Sequence, residues 1–197
     1  MRTIVFILIA LCASTMHAQL LDATALDSIR TYRSLERALK EPALVYKLDL
    51  SGEKLTELPE ALRQLPNLNS LDLSGNKLKT LPAWFAELVN LQELRVSRNK
   101  LKEYPDVICR LRHLKRLDLS RNALSGLPKC MGDLKELVSL DVWDNDLADF
   151  PKELKGMDAL RFMDLRNIQF EQPEMDRLQE LLPKTKIFFS PACNCGM

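Results

Sequence analysis

The sequence predicts an α/β solenoid, in which short strands stack in register, return segments connect them, and caps close both ends. The main observation is an apolar residue that recurs every 23 positions without a slip in register. Further apolar residues follow each recurrence at fixed offsets, and helical periodicity appears before and after the repeats. One unit of this length cannot bury its own leucines, so the units must stack and share a core.

The repeat begins at Val45, Leu68, Leu91, Leu114, Leu137 and Leu160. Apolar residues three and five positions later alternate with polar ones, as in Leu71 and Leu73, and this alternation predicts a short strand. The next feature is a turn asparagine, found at Asn76, Asn99, Asn122 and Asn145. An amide both donates and accepts, so stacked asparagines can satisfy the backbone groups of a tight turn, and we assign them no binding role. Proline then ends the strand pattern, and a buried return path follows at Leu62, Phe85, Ile108, Met131 and Leu154.

These units resemble leucine-rich repeats of the form LxxLxLxxNxLxxLPxxLxxL, as in LNSLDLSGNKLKTLPAWFAEL and LKRLDLSRNALSGLPKCMGDL. The resemblance covers about residues 45–167 as six units. Their length and the Leu-Pro step are similar to Ras-suppressor and scribble-type proteins and to many bacterial secreted repeat proteins. The resemblance implies a right-handed coil with a parallel sheet on its concave side and short helical or extended segments on its convex side.

Both flanks of the repeats are expected to close the core. In residues 19–44, the span 25–39 has a plausible helical face and predicts an N-terminal helical cap that ends at Pro42. Residues 168–197 form a C-terminal cap and a cysteine-containing tail. A helix is predicted there over residues 173–182, followed by a last strand over 186–190.

The first eighteen residues are typical of a signal peptide, which predicts an exported protein, either periplasmic or extracellular. Arg2 supplies positive charge, residues 4–11 form an apolar run too short to span a bilayer, and Ala18 precedes the expected cleavage site. Lipidation of Cys12 would make the protein a membrane-tethered lipoprotein or adhesin, and this alternative stays open. Bacterial lipoprotein signals usually have a small residue directly before the cysteine, whereas this sequence has Leu11.

Composition argues against several function classes. Cleavage after residue 18 would remove only Arg2 from the 28 basic residues, leaving 27 against 27 acidic residues, which argues against a nucleic-acid binder. The sequence contains no phosphate-binding glycine loop, HExxH helix or nucleophile elbow. Cleavage would also remove His17, so any histidine-based catalytic site would have to centre on His113. We therefore predict a protein that is not an enzyme and that needs no cofactor.

Departures from the repeat pattern indicate where a partner binds, because the other units show which residue usually occupies the same position. In each strand the residues between the buried ones face the concave surface, where mostly Asp and Ser recur. The departures predicted to bind a partner are Arg95, Arg98, Arg121, Trp143, Asp144, Phe162 and Arg166. Aromatic rings and guanidinium groups are common anchors in interfaces. We expect this patch to bind a protein partner through an acidic or carboxylate-bearing segment.

Four cysteines would remain after cleavage: Cys109, Cys130, Cys193 and Cys195. An even number in an exported protein makes disulfides possible, and Cys109 and Cys130 lie on the convex side of neighbouring units. Three function classes therefore stay open: a soluble recognition module, a tethered lipoprotein or adhesin, and a metal or redox accessory that uses Cys193 and Cys195. The oligomeric state and the identity of the partner do not follow from the sequence.

Overall fold

The structure, a computed structural model, describes residues 20–190 and contains one parallel sheet with a strand for every turn of a coil. The strands follow one another in chain order across the sheet, so each turn packs only on the turns before and after it. The strands are β1 (Thr31–Tyr32), β2 (Lys47–Asp49), β3 (Ser70–Asp72), β4 (Glu93–Arg95), β5 (Arg116–Asp118), β6 (Ser139–Asp141), β7 (Phe162–Leu165) and β8 (Lys186–Phe189). The predicted solenoid is confirmed. The proposed signal peptide, Cys12, Cys193 and Cys195 lie outside the described residues.

The interior of the coil is a continuous column of leucines held in register by the sheet. Leu71 of β3 pairs with Leu48 of β2 and Leu94 of β4, and all three side chains are buried. The return path of five turns is a short 3₁₀ helix: Glu60–Gln64, Ala83–Glu87, Asp106–Arg110, Lys129–Asp133 and Lys152–Gly156. The return-path residues predicted to be buried are each 0% exposed: Leu62, Phe85, Ile108, Met131 and Leu154. The repeat pattern therefore specifies the core.

The turn asparagines act as predicted, because each satisfies backbone groups of two neighbouring turns. The Asn76 amide donates to the carbonyls of Leu50 (2.9 Å) and Leu73 (2.8 Å), and its oxygen accepts from the Leu55 N–H (2.9 Å). Asn145 repeats this arrangement three units later. These asparagines therefore hold the turns together and are not free to bind a partner.

The N-terminal cap is helical, as predicted, but a strand divides the predicted helical face over residues 25–39. Helix α1 (Ala23–Ser28) ends early, and β1 then pairs with β2, with Tyr32 opposite Leu48. Helix α2 (Leu35–Ala38) follows, capped by the Ser34 hydroxyl. Pairing covers the open edge of β2 and buries Tyr32, and these tertiary contacts outweigh the local helical periodicity.

The N-terminal segment is also tied to the flank of the repeats by buried polar side chains. The Leu21 N–H donates to Oδ1 of Asn69 (2.8 Å), and Nε2 of Gln92 donates to the Leu21 carbonyl (2.7 Å). Gln92 also donates to Asn69 (2.9 Å). Residue 21 is thus fixed across the second and third units, a contact that the repeat pattern does not predict.

The C-terminal cap is a helix and a strand, as predicted. Helix α3 (Gln172–Leu181) begins at a capping box formed by Glu171 and Glu174, and β8 adds the last strand beside β7. Phe170 lies between Phe150 and Phe189, with 5.7 Å between ring centroids on each side. These contacts connect the cap to the repeat core. None of the helices in residues 20–190 is long and apolar enough to cross a bilayer.

Cys109 and Cys130 form a disulfide on the convex side, with their Cα atoms 5.7 Å apart. Cys109 lies in the 3₁₀ helix of the third unit and Cys130 in that of the fourth. The bond therefore joins two adjacent turns on the side of the coil opposite the sheet.

Candidate binding site on the concave face

The concave face is formed by the strand residues that point away from the leucine core, and it is organised in three columns. Strand pairing places residues of successive units directly beside one another. The first column contains Lys47, Ser70, Glu93, Arg116, Ser139 and Phe162; the second contains Asp49, Asp72, Arg95, Asp118, Asp141 and Asp164; the third contains Ser51, Ser74, Ser97, Ser120, Trp143 and Arg166. The columns carry both charge signs, so the face as a whole is not strongly basic or acidic.

Three of the predicted site residues form one cluster at the end of strands β5 and β6. The guanidinium carbon of Arg121 lies 5.2 Å from the centroid of the Trp143 ring, a cation–π contact. The same guanidinium pairs with Asp144, with 3.4 Å between Nε and Oδ2. Asn167 of the next unit donates to the Asp144 carboxylate. The cluster therefore presents an aromatic surface, a cation and a carboxylate within one short stretch of the face.

Two of the site arginines occupy a backbone conformation that favours glycine. Arg98 has φ 53° and Arg121 has φ 54°, at the turn position that Gly52 (φ 72°) and Gly75 (φ 69°) fill in earlier units. Left-handed backbone costs a residue with a side chain about 1 kcal/mol or more. Neither arginine is needed to form the turn, since glycine forms it in the first two units.

Arg98 and Arg121, both exposed, are among the residues that line a groove on the concave face. The groove has a volume of about 450 Å³, and Trp143, Asp118 and Asp141 also line it. The serines of the third column and Gly52 and Gly75 complete its lining. Serine hydroxyls, an aromatic ring, two guanidinium groups and two carboxylates therefore line one groove.

The remaining predicted residues lie on the same face but outside this cluster. Arg95 is directed toward Asp72, with 3.8 Å between nitrogen and oxygen. Arg166 folds onto Asp164 with two Nε contacts of 2.9 and 3.0 Å, and this pairing raises its pKa. Phe162 is 49% exposed in the first column. Arg166 is thus engaged within the chain, whereas Arg95 makes only a long contact and Phe162 is accessible.

Two features of the face are absent from the sequence-based prediction. Phe188 of β8 continues the second column beside Asp164 and is 37% exposed; the alternation within β8 would have revealed it. In the first column, the buried Glu93 accepts from Arg116 (2.6 Å) and from the Ser70 hydroxyl (3.2 Å). This second feature depends on three successive units and has no marker within a single repeat.

Asp141 is a concave-face carboxylate with a large pKa shift. Its burial, followed by the neighbouring carboxylates of Asp118 and Asp164, raises the pKa of Asp141 to about 6. The Trp143 N–H and the Arg166 guanidinium act in the opposite direction and do not cancel the effect. The centre of the face is therefore sensitive to pH.

Asp141→Asn should stabilise the protein near neutral pH and have little effect in acid. The folded protein retains the Asp141 proton up to about pH 6, whereas the unfolded chain releases it near the ordinary pKa of about 4. Stability from this group therefore falls as the pH rises between these values, and the loss persists above them. Urea unfolding of both proteins at about pH 4 and about pH 7.5 measures the difference.

The matched control is Asp27→Asn, which removes an exposed carboxylate from α1. It should not show the same change with pH. An Asp141→Asn effect of equal size at both pH values would contradict the assigned titration.

Comparison with known families agrees with this architecture. A family model described as leucine-rich repeat matches residues 43–101, and a second leucine-rich-repeat model matches residues 113–134. The chain belongs to the leucine-rich-repeat family. Proteins of this family are generally non-enzymatic and typically act as protein-binding modules. The comparison with curated protein sequences finds no match.

Solved structures of leucine-rich-repeat proteins are similar to this chain. A leucine-rich-repeat protein of Leptospira interrogans is 32% identical with a TM-score of 0.66, covering 81% of this chain and 46% of that one. The ectodomain of the Arabidopsis thaliana receptor kinase GASSHO1/SCHENGEN3, in complex with Casparian strip integrity factor 2, is 27% identical with a TM-score of 0.62, covering 81% and 20%. Internalin C2 of Listeria monocytogenes is 24% identical with a TM-score of 0.64, covering 77% of this chain and 64% of that one. At this identity the similarity supports the fold only. The chain thus spans less than two thirds of each of these proteins.

Proposed function

We propose that this leucine-rich-repeat protein is a secreted recognition module that binds a protein partner on its concave face. The observation that carries the proposal is the cluster of Trp143, Arg121 and Asp144 beside the serine-lined groove. Large aromatic and guanidinium groups contribute most of the binding energy in many interfaces. In the first two units the same positions hold only serine and glycine, so the cluster adds features that folding does not require.

An acidic segment of the partner fits the two arginines that line the groove. Within residues 20–190, Arg98 has no carboxylate at ion-pair distance, and Arg121 has the single contact with Asp144 at 3.4 Å. A carboxylate of the partner would pair with both guanidinium groups, while an adjacent side chain covers the Trp143 ring. Arg95, Arg166 and the exposed Phe162 lie outside the cluster and would form the margin of the interface.

Two further observations support export. The disulfide between Cys109 and Cys130 is of the kind that persists in oxidising compartments. The first eighteen residues have the composition of a cleavable leader. The Arabidopsis structure, an ectodomain in complex with Casparian strip integrity factor 2, supports a recognition role for this fold.

The proposal is tested by substitutions that restore the residues of earlier units. Trp143→Ser and Arg121→Gly give the fifth and fourth units the side chains that the first two already carry, so folding should be preserved. We expect Trp143→Ser to weaken binding of the partner by about thirtyfold and Arg121→Gly by about tenfold. The partner is first captured with the wild-type protein and identified, and affinities are then measured with purified components.

Lys152→Ala, on the exposed convex side, is the control and should leave the affinity unchanged. Circular dichroism and urea unfolding verify that each variant is folded. If the folded Trp143→Ser and Arg121→Gly proteins bind the partner as tightly as the wild type, the concave-face site is wrong.

A further inference from the structure

A second groove lies on the flank of the coil, between the second and third units and away from the columns of the concave face. Its volume is about 660 Å³, and Leu81, Ala83, Pro105 and Val107 give it an apolar base. Its polar lining consists of Lys79, Thr80, Lys100, Lys102, Glu103 and Asp106, together with Tyr104. The groove therefore combines apolar surface with several ammonium groups.

The lysines of this flank are confined to the N-terminal half of the coil. The turns stack directly, since the Lys77 N–H donates to Leu55 (2.8 Å) and the Lys100 N–H donates to Leu78 (2.9 Å). In the fourth unit, Ala123 and Ser125 stand where Lys100 and Lys102 stand in the third. The lysines are thus a local feature of the groove and are not part of the repeat pattern.

These ammonium groups are not neutralised by close ion pairs. Lys79, Lys100 and Lys102 are exposed, and none has a carboxylate within ion-pair distance in the described part of the chain. Of the two acidic residues in the lining, Asp106 is oriented toward Cys130, with 3.9 Å between Oδ1 and Sγ. The rim is therefore able to pair with carboxylates from another molecule.

Tyr104 marks this groove as different from the corresponding places in other units. It replaces the leucine or phenylalanine found at Leu58, Leu81, Leu127 and Phe150. The residue is 8% exposed, and its hydroxyl is the one buried side-chain N or O atom in residues 20–190 without a hydrogen-bond partner. A buried polar group without a partner is unfavourable, and Tyr104 is one of the residues that line the groove.

Burial, and to a lesser extent the charge of Asp106, keep the pKa of Tyr104 well above its ordinary value. The phenol therefore remains a hydrogen-bond donor at any physiological pH, which is compatible with an anionic acceptor.

We propose that the flank groove binds a polypeptide segment in which acidic residues alternate with apolar ones. Its carboxylates pair with Lys79, Lys100 and Lys102 and accept from the Tyr104 hydroxyl, while its apolar side chains cover Ala83 and Val107. The apolar base favours a peptide over a sulfated polysaccharide, whose surface is polar, and the concave shape disfavours a flat membrane. This site is separate from the concave-face cluster and does not depend on it.

The test uses the purified protein and a fluorescein-labelled peptide that repeats Glu-Glu-Leu. Fluorescence anisotropy gives the affinity. NMR titration of the isotope-labelled protein with the peptide shows where the peptide binds. The variant K79S/K100A/K102S carries small residues of the kind found in the fourth unit, so it should fold, and it should bind about tenfold or more weakly. Tyr104→Phe should bind about tenfold more weakly without loss of stability. The matched control K129A/K152A/K155A removes three exposed convex lysines and should bind as the wild type does.

The expected result is salt-sensitive binding, with NMR chemical-shift changes at Lys79, Lys100, Lys102 and Tyr104. Absence of peptide binding, or equal affinity of the wild type and either groove variant, overturns the proposal. Chemical-shift changes confined to Trp143 and Arg121 also overturn the flank-groove proposal, but they leave the proposed concave-face function intact. Binding of heparin or anionic vesicles through the same lysines, without binding of the peptide, would instead assign the groove to a different class of ligand.

Discussion

Asn145→Ala is expected to lower the free energy of unfolding by about 3 kcal/mol, because one amide satisfies backbone groups of two turns. Its Nδ2 donates to the carbonyls of Leu119 (3.1 Å) and Val142 (2.9 Å), and its Oδ1 accepts from the Leu124 N–H (3.0 Å). Asn145 is 6% exposed, so water replaces these bonds poorly. The effect is measured by urea unfolding monitored through circular dichroism.

Two variants separate the hydrogen bonds from the loss of side-chain volume. Asn145→Asp keeps the size and one acceptor but places a carboxylate against carbonyl oxygens, so it should also be strongly destabilising. Asn90→Ala removes only one bond, to the Pro66 carbonyl at the exposed rim, and should cost less than about 1 kcal/mol. If Asn145→Ala and Asn90→Ala are equally mild, the turn asparagines do not hold the coil together.

Gly132→Ala is expected to destabilise the protein by about 3 kcal/mol, because a neighbouring backbone already occupies the space that a methyl group needs. A Cβ atom at this position would lie 2.3 Å from the Glu153 carbonyl oxygen and 3.0 Å from its carbon. Both residues belong to the 3₁₀ helices of adjacent turns, which therefore approach backbone to backbone. Accommodating the methyl group would push the fourth and fifth units apart on the convex side.

Gly126→Ala is the matched control in the same unit. Its added Cβ would meet the Asp149 carbonyl at 3.5 Å, an ordinary contact, and we expect a change of less than about 1 kcal/mol. Thermal unfolding compares the two variants. Equal midpoints for Gly132→Ala and Gly126→Ala would show that the convex turns are not packed as closely as described.

The sequence was sufficient for the core, the turns and the C-terminal cap because each has a local, repeated cause. The leucine positions follow from the alternation of a strand, and the role of Asn76 follows from the need to satisfy a tight turn. The strand that divides the N-terminal cap could not be predicted, because β1 forms through its pairing with β2, a contact between separate parts of the chain. Local periodicity cannot report such a contact.

The candidate site was predictable as a face but not as a set of contacts. Register alone placed Trp143 and Phe162 on the concave side. It could not show that Arg166 folds onto Asp164, or that Arg121 stacks on Trp143, because these contacts depend on side-chain rotamers. The groove beside Tyr104 could not be predicted either, because it forms only where the second and third turns meet.

Site-specific photocrosslinking tests the central claim, that the concave face binds a protein partner, most directly. Benzoylphenylalanine is placed at Trp143, at Phe162 and, on the convex side, at Lys152, and each protein is irradiated with the captured partner. The account predicts covalent adducts from the first two positions, mapped to one segment of the partner, and none from the third. Adducts from Lys152 alone would contradict it.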